Sequence, residues 1–526
     1  MRQGLALLWQ TAALGLVLAL LLPLSGTLVV ETPAKDIFVP LSAAWAVLSG
    51  FSPHIDFWTP IGPAYAWQQA WMPWLLGEMS PVLIVWANYP VSVFVAFLAL
   101  YLSRGRLPGP AAFAFAVVVA LIALSPRLMD IYGPTISHLA SYNRAGWALC
   151  AALLPLLCGG PAPRRRELLL AGVAVLWVGL LKVSFVPLAG MIVILAAPRW
   201  RHLPLAALPS VAGLALLAAG GMALPYLQQV LEAADAGGDA ARLSRMAPML
   251  HANALPLLAA CVVGVRCCGR EGIAAAGVRL AVGVWLCVLT GLQAHDYAVP
   301  AAWGALIPLC ALAARDLSAR TPAAILGLLL AAPMWWSDLS ALALNRSLSG
   351  RSTVPALGVP TSMGMVSWEI LDAKGRPSGL AFRGASVRAY PSVPEARTLA
   401  ERPFFYDVGE EAAALSEAAL ALGQLLRPGE RVLDLGFANP WGLLAEAAPP
   451  RNMPLWLHAG RTLSDRWSPS LSAISADADV LVLPEGSRLT MGEAWTIRHY
   501  MPEIRAGWIR IGGTADYSFW RRAGGS

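Results

Sequence analysis

Apolar runs close to bilayer length, separated by short basic loops, dominate the first two thirds of this chain. A membrane helix needs ~20 mostly apolar residues. Residues 5–30, 80–102, 109–126, 145–161, 167–181, 183–198, 203–227, 250–265, 280–295, 298–314 and 321–340 approach or meet that requirement. Only 13% of the 526 residues are charged, against ~25% in ordinary soluble domains. The pattern excludes an ordinary soluble globule and a disordered chain. It predicts a polytopic α-helical membrane protein of about 11 transmembrane helices. No small-residue cleavage site follows the first run, so it is expected to stay as a helix rather than leave as a signal peptide.

The net charge of +7 could suggest a nucleic-acid partner, but its distribution argues for a membrane. Residues 341–526 hold 19 Lys and Arg against 18 Asp and Glu, whereas residues 1–340 hold 19 against 13. The excess lies in short loops between apolar runs. Thirteen bases fall on one side, among them Arg2, Arg104, Arg106 and Arg164–Arg166, against six on the other. Positively charged loops stay cytoplasmic, so the N-terminus is expected inside and the tail outside. This topology requires residues 167–198 to form two short helices that turn near Lys182. One long helix there would invert everything downstream.

Residues 1–340 are thus expected to form a transmembrane domain, with 31–80 as a long first outer loop. In that loop, Ile37, Leu41, Trp45 and Leu48 share one helical face and predict a helix lying in the membrane interface. Trp58, Trp67, Trp71 and Trp74 suit an aromatic belt. Residues 341–526 read as an extracytoplasmic α/β domain. A helix is expected over 409–426, short buried strands at 431–436, 454–458 and 479–484, and a hairpin over 508–520 around Gly512-Gly513. All seven cysteines fall before residue 341, so the tail has no disulfide framework. The Cys267-Cys268 pair has no second ligand pair and reads as structural.

A loop of ~50 residues is far longer than a connector requires, and such loops are usually functional. It carries Asp36, Gly50, Pro53-His54-Ile55-Asp56 and Gly62-Pro63-Ala64-Tyr65. In this order the motifs resemble bacterial members of the GT-C superfamily of integral-membrane glycosyltransferases, relatives of the protein O-mannosyltransferases and of the lipid A aminoarabinose transferase. The resemblance covers residues 1–200 by motif and the remainder by layout. It implies transfer of a sugar from a polyprenyl-phosphate donor to a glycan, lipid or protein acceptor on the outer face of the bacterial cytoplasmic membrane. It also implies that the acidic residue after the first span acts as catalytic base or metal ligand. Many relatives carry an Asp-Glu pair there. Here Ile37 follows Asp36, which leaves metal dependence unknown and a divalent ion an open cofactor.

The residues suit that chemistry. Sugar transfer from a phosphate needs a base for the attacking hydroxyl and positive charge for the departing phosphate. Asp36 and Asp56 are the candidate catalytic carboxylates, against the plainer roles of helix cap and turn former. His54, Tyr65, Arg127, His138, Arg144 and Lys182 are the candidate substrate-binding residues, with membrane lipids as surroundings and no nucleic acid. Lys182 interrupts an apolar run, and an ionisable residue at membrane depth is a functional hypothesis. Although His54, His138, His251 and His295 map to the same side, none has the spacing of a metal motif. RVLDLGFANPWG (431–442) lacks the spaced glycines of a nucleotide-binding turn. Two other classes fit the architecture: a transporter or lipid flippase, and a non-catalytic envelope scaffold. The absence of a second copy of the 31–80 loop counts against a repeat-built transporter. Mutating the outer carboxylates would silence an enzyme and spare a scaffold.

Overall fold

A computed structural model describes residues 2–24, 34–77, 81–126, 138–139, 141–157, 161–197, 199–236, short stretches between 336 and 406, and most of 408–524. The expected spans from 250 to 335 lie outside the described residues, as do Arg127, His251, His295 and the Cys267-Cys268 pair.

The amino-terminal part is a bundle of apolar helices: α1 (Arg2–Leu20), α2 (Phe38–Leu48), α3 (Pro63–Leu76), α4 (Tyr89–Ser103), α5 (Gly109–Leu124), α6 (Ser141–Ala152), α7 (Arg165–Leu181), α8 (Val186–Ala196), α9 (Leu203–Ala219) and α10 (Ala223–Ala236). Among the described residues, two helices are long and apolar enough to cross a membrane, Val82–Ser103 and Trp200–Ala219. The expected boundaries shift for local reasons. Helix α9 stops at Ala219 rather than 227, because Gly220-Gly221 follows and Gly221 takes φ +74°, a conformation that glycine alone adopts freely. Helix α6 stops at Ala152 and continues as a tighter turn over Leu154–Leu157, where Pro155 removes a backbone donor.

The run 167–198 does break at Lys182. The residue leaves helical geometry with φ −162° and ψ 113°. Phe185 then packs edge-on against Trp147, with ring centroids 4.9 Å apart, in the middle of α6. Helix α8 goes on to meet the 154–157 turn that follows α6.

Close approach of α7 and α9 depends on glycine. A Cβ on Gly172 would overlap the carbonyl oxygen of Ala206, the kind of contact that small residues permit between membrane helices. At one end of the bundle, Arg106 forms a buried ion pair with Glu167 at 2.8 Å and donates to the carbonyls of Leu102 and Pro161. Two of the basic loops therefore meet there. At the other end the Asn88 amide donates to the carbonyls of Ala123 (2.9 Å) and Ser141 (2.7 Å), tying together the ends of α4, α5 and α6.

Helix α2 is buried over more than the one expected stripe. Phe38 through Ala44 and Ala46 are all buried, so no single stripe faces inward. Apolar residues around the whole circumference make such a helix a core element.

Within the tail, short ladders pair β2 (Leu357–Thr361) with β3 (Gly364–Trp368), and β4 (Phe382–Arg383) with β5 (Phe405–Tyr406). After α11 (Val408–Leu425) come β6 (Val432–Asp434), α12 (Trp441–Leu444), β7 (Met453–Pro454), α13 (Leu471–Ile474), β8 (Val480–Pro484), α14 (Met491–Gly507), β9 (Trp508–Gly513) and β10 (Tyr517–Arg522). The sheet order is β6-β8-β10-β9, with β6 and β8 parallel and the other neighbours antiparallel. All five residues of β8 are buried, as its unbroken apolar sequence requires for a strand covered on both faces. The expected hairpin is present, but it turns at residues 514–516, leaving Gly512 and Gly513 in β9. The expected strand 454–458 is not in this sheet. Its start, β7, pairs in parallel with β1 (Phe57–Trp58) of the first loop.

Candidate functional site

Four separate pieces of chain meet at the Asn88 end of the bundle, about 26 Å from the Arg106–Glu167 pair along the 17-residue helix α7. A single 3-10 turn, Ala34–Ile37, carries Asp36. The first turn of α3 carries Tyr65, the start of α6 carries Tyr142, Asn143 and Arg144, and the α7–α8 break carries Lys182.

Close packing brings these groups together. Gly62 donates its amide to the Leu181 carbonyl at 2.8 Å, and a Cβ there would overlap the Leu180 carbonyl. Only glycine lets the loop approach the end of α7 so closely. Pro63 then opens α3, where its fixed φ and missing donor are tolerated. Tyr65 follows, 1% exposed, with its ring edge-on to Tyr142 at 5.5 Å. The Lys182 ammonium lies 4.9 Å from the centre of the Tyr142 ring and donates to Asn143 Oδ1 at 3.1 Å. Burial, with Tyr142 and the Asp36 charge nearby, holds the Tyr65 phenol well above its ordinary pKa, so Tyr65 remains a hydrogen-bond donor. Gln69 reaches Ser141 at 3.4 Å on the same side.

One carboxylate and one ammonium thus flank a pair of tyrosines at the end of an apolar bundle. Such a site can accept a proton at Asp36 and hold an anion at Lys182, while the tyrosines and Asn143 orient polar groups between them.

The other sequence candidates are differently engaged. Arg144 is fully buried and pairs with Asp338 at 2.9 Å, while its Nε donates to the Ile122 carbonyl at 2.8 Å. Arg144 is therefore buried inside the described structure rather than outward-facing. Asp56 accepts the Ser52 amide at 2.8 Å and an Arg451 Nη1 donor at 2.6 Å.

His54 is 3% exposed and sits at φ +66°. Its Nδ1 lies 2.7 Å from Gln229 Oε1, while Gln229 Nε2 donates to the His54 carbonyl at 3.1 Å. Burial pushes the His54 imidazole down from 6.5 to about 4, against the opposing pull of its hydrogen bonds, so it is neutral near pH 7. His138 is buried, and its carbonyl accepts the Ser141 amide.

Of the four loop tryptophans, Trp67 and Trp74 are exposed, as a belt requires. Trp71 instead donates to the Trp86 carbonyl, and Trp58 stacks on Trp467 of the tail.

Tyr142 and Asn143 were not among the sequence candidates. The run Ser-Tyr-Asn-Arg at the mouth of an apolar span was the available signal. Nothing local marked Gln229 or Arg451, because their partners lie 175 and 395 residues away.

Among the described residues, no group of three or more His, Cys, Asp or Glu side chains could hold a metal ion. In the sequence Asp36 is followed by Ile37 rather than by a second carboxylate.

No protein-family model and no curated protein matches the sequence. Among solved structures, the chain is similar to ArnT from Cupriavidus metallidurans, crystallised with undecaprenyl phosphate bound. Identity is 13% and the TM-score 0.47, over 99% of this chain and 98% of that one. It is also similar to the Archaeoglobus fulgidus oligosaccharyltransferase, crystallised with Zn and sulfate. There identity is 10% and the TM-score 0.37, over 90% of this chain and 67% of that one.

Proposed function

We propose that this chain is a GT-C-type membrane glycosyltransferase. It moves a sugar from a polyprenyl-phosphate donor to a glycan, lipid or protein acceptor at the outer face of the bacterial cytoplasmic membrane. The observation that carries the reading is the meeting of Asp36 and Lys182 around Tyr65, Tyr142 and Asn143. The ordered Gly–Pro–His–Asp and Gly-Pro-Ala-Tyr motifs of the first loop support it independently.

In this reading the lipid tail lies against the apolar bundle and its phosphate faces Lys182. Asp36 takes the proton from the acceptor hydroxyl. The hydroxyl oxygen forms the new bond to the sugar carbon, and the old bond from that carbon to the phosphate oxygen breaks. The phosphate leaves with the electron pair, and the Lys182 ammonium offsets its charge. Tyr65 and Asn143 orient sugar or phosphate oxygens. The cytoplasmic N-terminus and outer tail expected from loop charge put the site on the side where such a donor is used.

Asp36→Asn tests this role. It preserves shape and removes the proton acceptor. Loss of a general base costs ~10²–10⁴-fold in rate, so the variant should insert normally and transfer almost no sugar from a polyprenyl-phosphate donor. Near-normal transfer by Asp36→Asn would overturn the assignment. A scaffold or transporter would show no such transfer in the unmodified protein.

A further inference from the structure

The loop between α2 and α3 is held from two sides. On one side the Gln229 side chain of α10 binds His54 and the Thr59 amide (3.1 Å), and Glu232 accepts the Trp58 indole N–H at 3.0 Å. On the other side is the tail. Asn452 donates its amide to the Asp56 carbonyl at 2.6 Å, and Leu455 donates to the Trp58 carbonyl at 2.8 Å, forming the β1–β7 ladder. Trp58 stacks on Trp467 with centroids 5.5 Å apart. Ser42 of α2 donates to the Asn439 carbonyl at 2.6 Å. An ion pair across this contact joins Arg451 to Asp56 at 2.6 Å, and the Arg451 guanidinium also lies 5.2 Å from the centre of the Phe51 ring.

The same loop ends at Gly62, whose amide is bonded to Leu181, the residue before Lys182. Tyr65 lies three residues further on. Asp56 therefore lies six residues before the contact that sets Tyr65 against the Lys182 break. Asp56 already accepts the Ser52 amide, so its carboxylate is shared between the loop's own turn and the tail. Such a geometry suits an anchor.

We propose that Arg451 is a positioning residue: by pairing with Asp56 it lets the tail hold the 51–62 loop in register with the end of α7. The effect on sugar transfer rests on the function proposed above, whereas the effect on the loop does not.

The experiment uses the full chain in lipid nanodiscs, with Asp56→Asn, Arg451→Gln, the double variant and Arg451→Lys. Asp56→Asn keeps an acceptor for the Ser52 amide. Hydrogen exchange is followed in peptides covering 57–65, with peptides over β6 and β8 reporting whether the tail remains folded. Transfer is assayed in parallel.

If the pair acts as one unit, Asp56→Asn, Arg451→Gln and the double variant raise exchange at 57–65 about equally, roughly tenfold. They lower turnover by a similar modest factor, because coupled groups are not additive. Tail protection is unchanged, and Arg451→Lys recovers most of the loss. Unchanged exchange at 57–65 in Arg451→Gln overturns the proposal. So does a collapse of ~10²–10⁴-fold confined to the variants lacking Asp56, the size expected when a general base is removed. If the unmodified chain transfers no sugar while exchange responds as described, the glycosyltransferase reading fails and the positioning of the loop by Arg451 stands.

Discussion

His54 shows how far a residue's role can depart from its chemical type. An imidazole in an outer loop suggests a ligand or an acid–base group. Here the ring is buried against Tyr226, with centroids 4.7 Å apart, and pinned by Gln229. Its pKa falls from 6.5 to about 4, so between these values the unfolded chain binds the proton and the folded chain resists it. The stability contribution is complete above pH 6.5 and is lost as pH falls toward 4, in total on the order of 3 kcal/mol. His54→Asn should flatten this dependence in thermal melts between pH 4 and 7, since asparagine also tolerates φ +66°. Lys182 belongs to the same scale. Lys182→Met should raise the polyprenyl phosphate concentration needed for half-saturation about tenfold or more, the worth of one charge-assisted hydrogen bond. Lys182→Arg should retain most of the affinity. Equal saturation by the methionine variant would reduce Lys182 to a side chain reaching toward lipid headgroups.

The decisive element-scale contact is the crossing of α7 and α9. Gly172 and Gly213 sit where a Cβ would meet Ala206 and Leu176. Since α7 ends at Lys182, moving it apart from α9 would shift the site. Gly172→Ala should destabilise the protein by about 1–3 kcal/mol through overpacking. Gly190→Ala in α8, where no described atom lies within 4 Å of the added Cβ, should be neutral or stabilising by up to ~1 kcal/mol. Melting temperatures of the two variants in one detergent decide the matter. Equal behaviour would mean that α7 and α9 are not packed through Gly172. The element scale also bears on helix α2. The stripe of Ile37, Leu41, Trp45 and Leu48 is real, but Val39, Ala43 and Ala46 between its members are also apolar and are fully buried, whereas Leu48 is exposed.

At the scale of the whole molecule, the tail touches α2 and the first loop through backbone pairing, an ion pair and a stacked tryptophan pair. The tail and the first loop must therefore lie on the same side of the membrane. Loop charge predicts which side. A reporter fused after residue 345 should be active only outside the cytoplasm. A cytoplasmic signal there would bring the first loop and Asp36 inside as well, away from the expected donor.

The sequence alone determined that the amino-terminal part is built of apolar helices, and it marked out the residues proposed for the site. Apolar run length and loop charge depend only on local composition, and the break at Lys182 followed from the charge count. Asp36, Tyr65 and Lys182 were legible because each departs from its surroundings: a carboxylate after a span, a tyrosine behind Gly-Pro, a base within an apolar run. Tertiary structure alone decided which polar groups face one another. Arg144 and Lys182 look alike in sequence, yet one is paired with Asp338 and the other lies over Tyr142. Asp56 and Arg451 are 395 residues apart, and no local pattern records a pairing made by docking two separately formed surfaces. Hydrophobic burial is nondirectional and is recorded in composition. Hydrogen bonds and ion pairs require partners at fixed distances, and those distances exist only after the chain has folded.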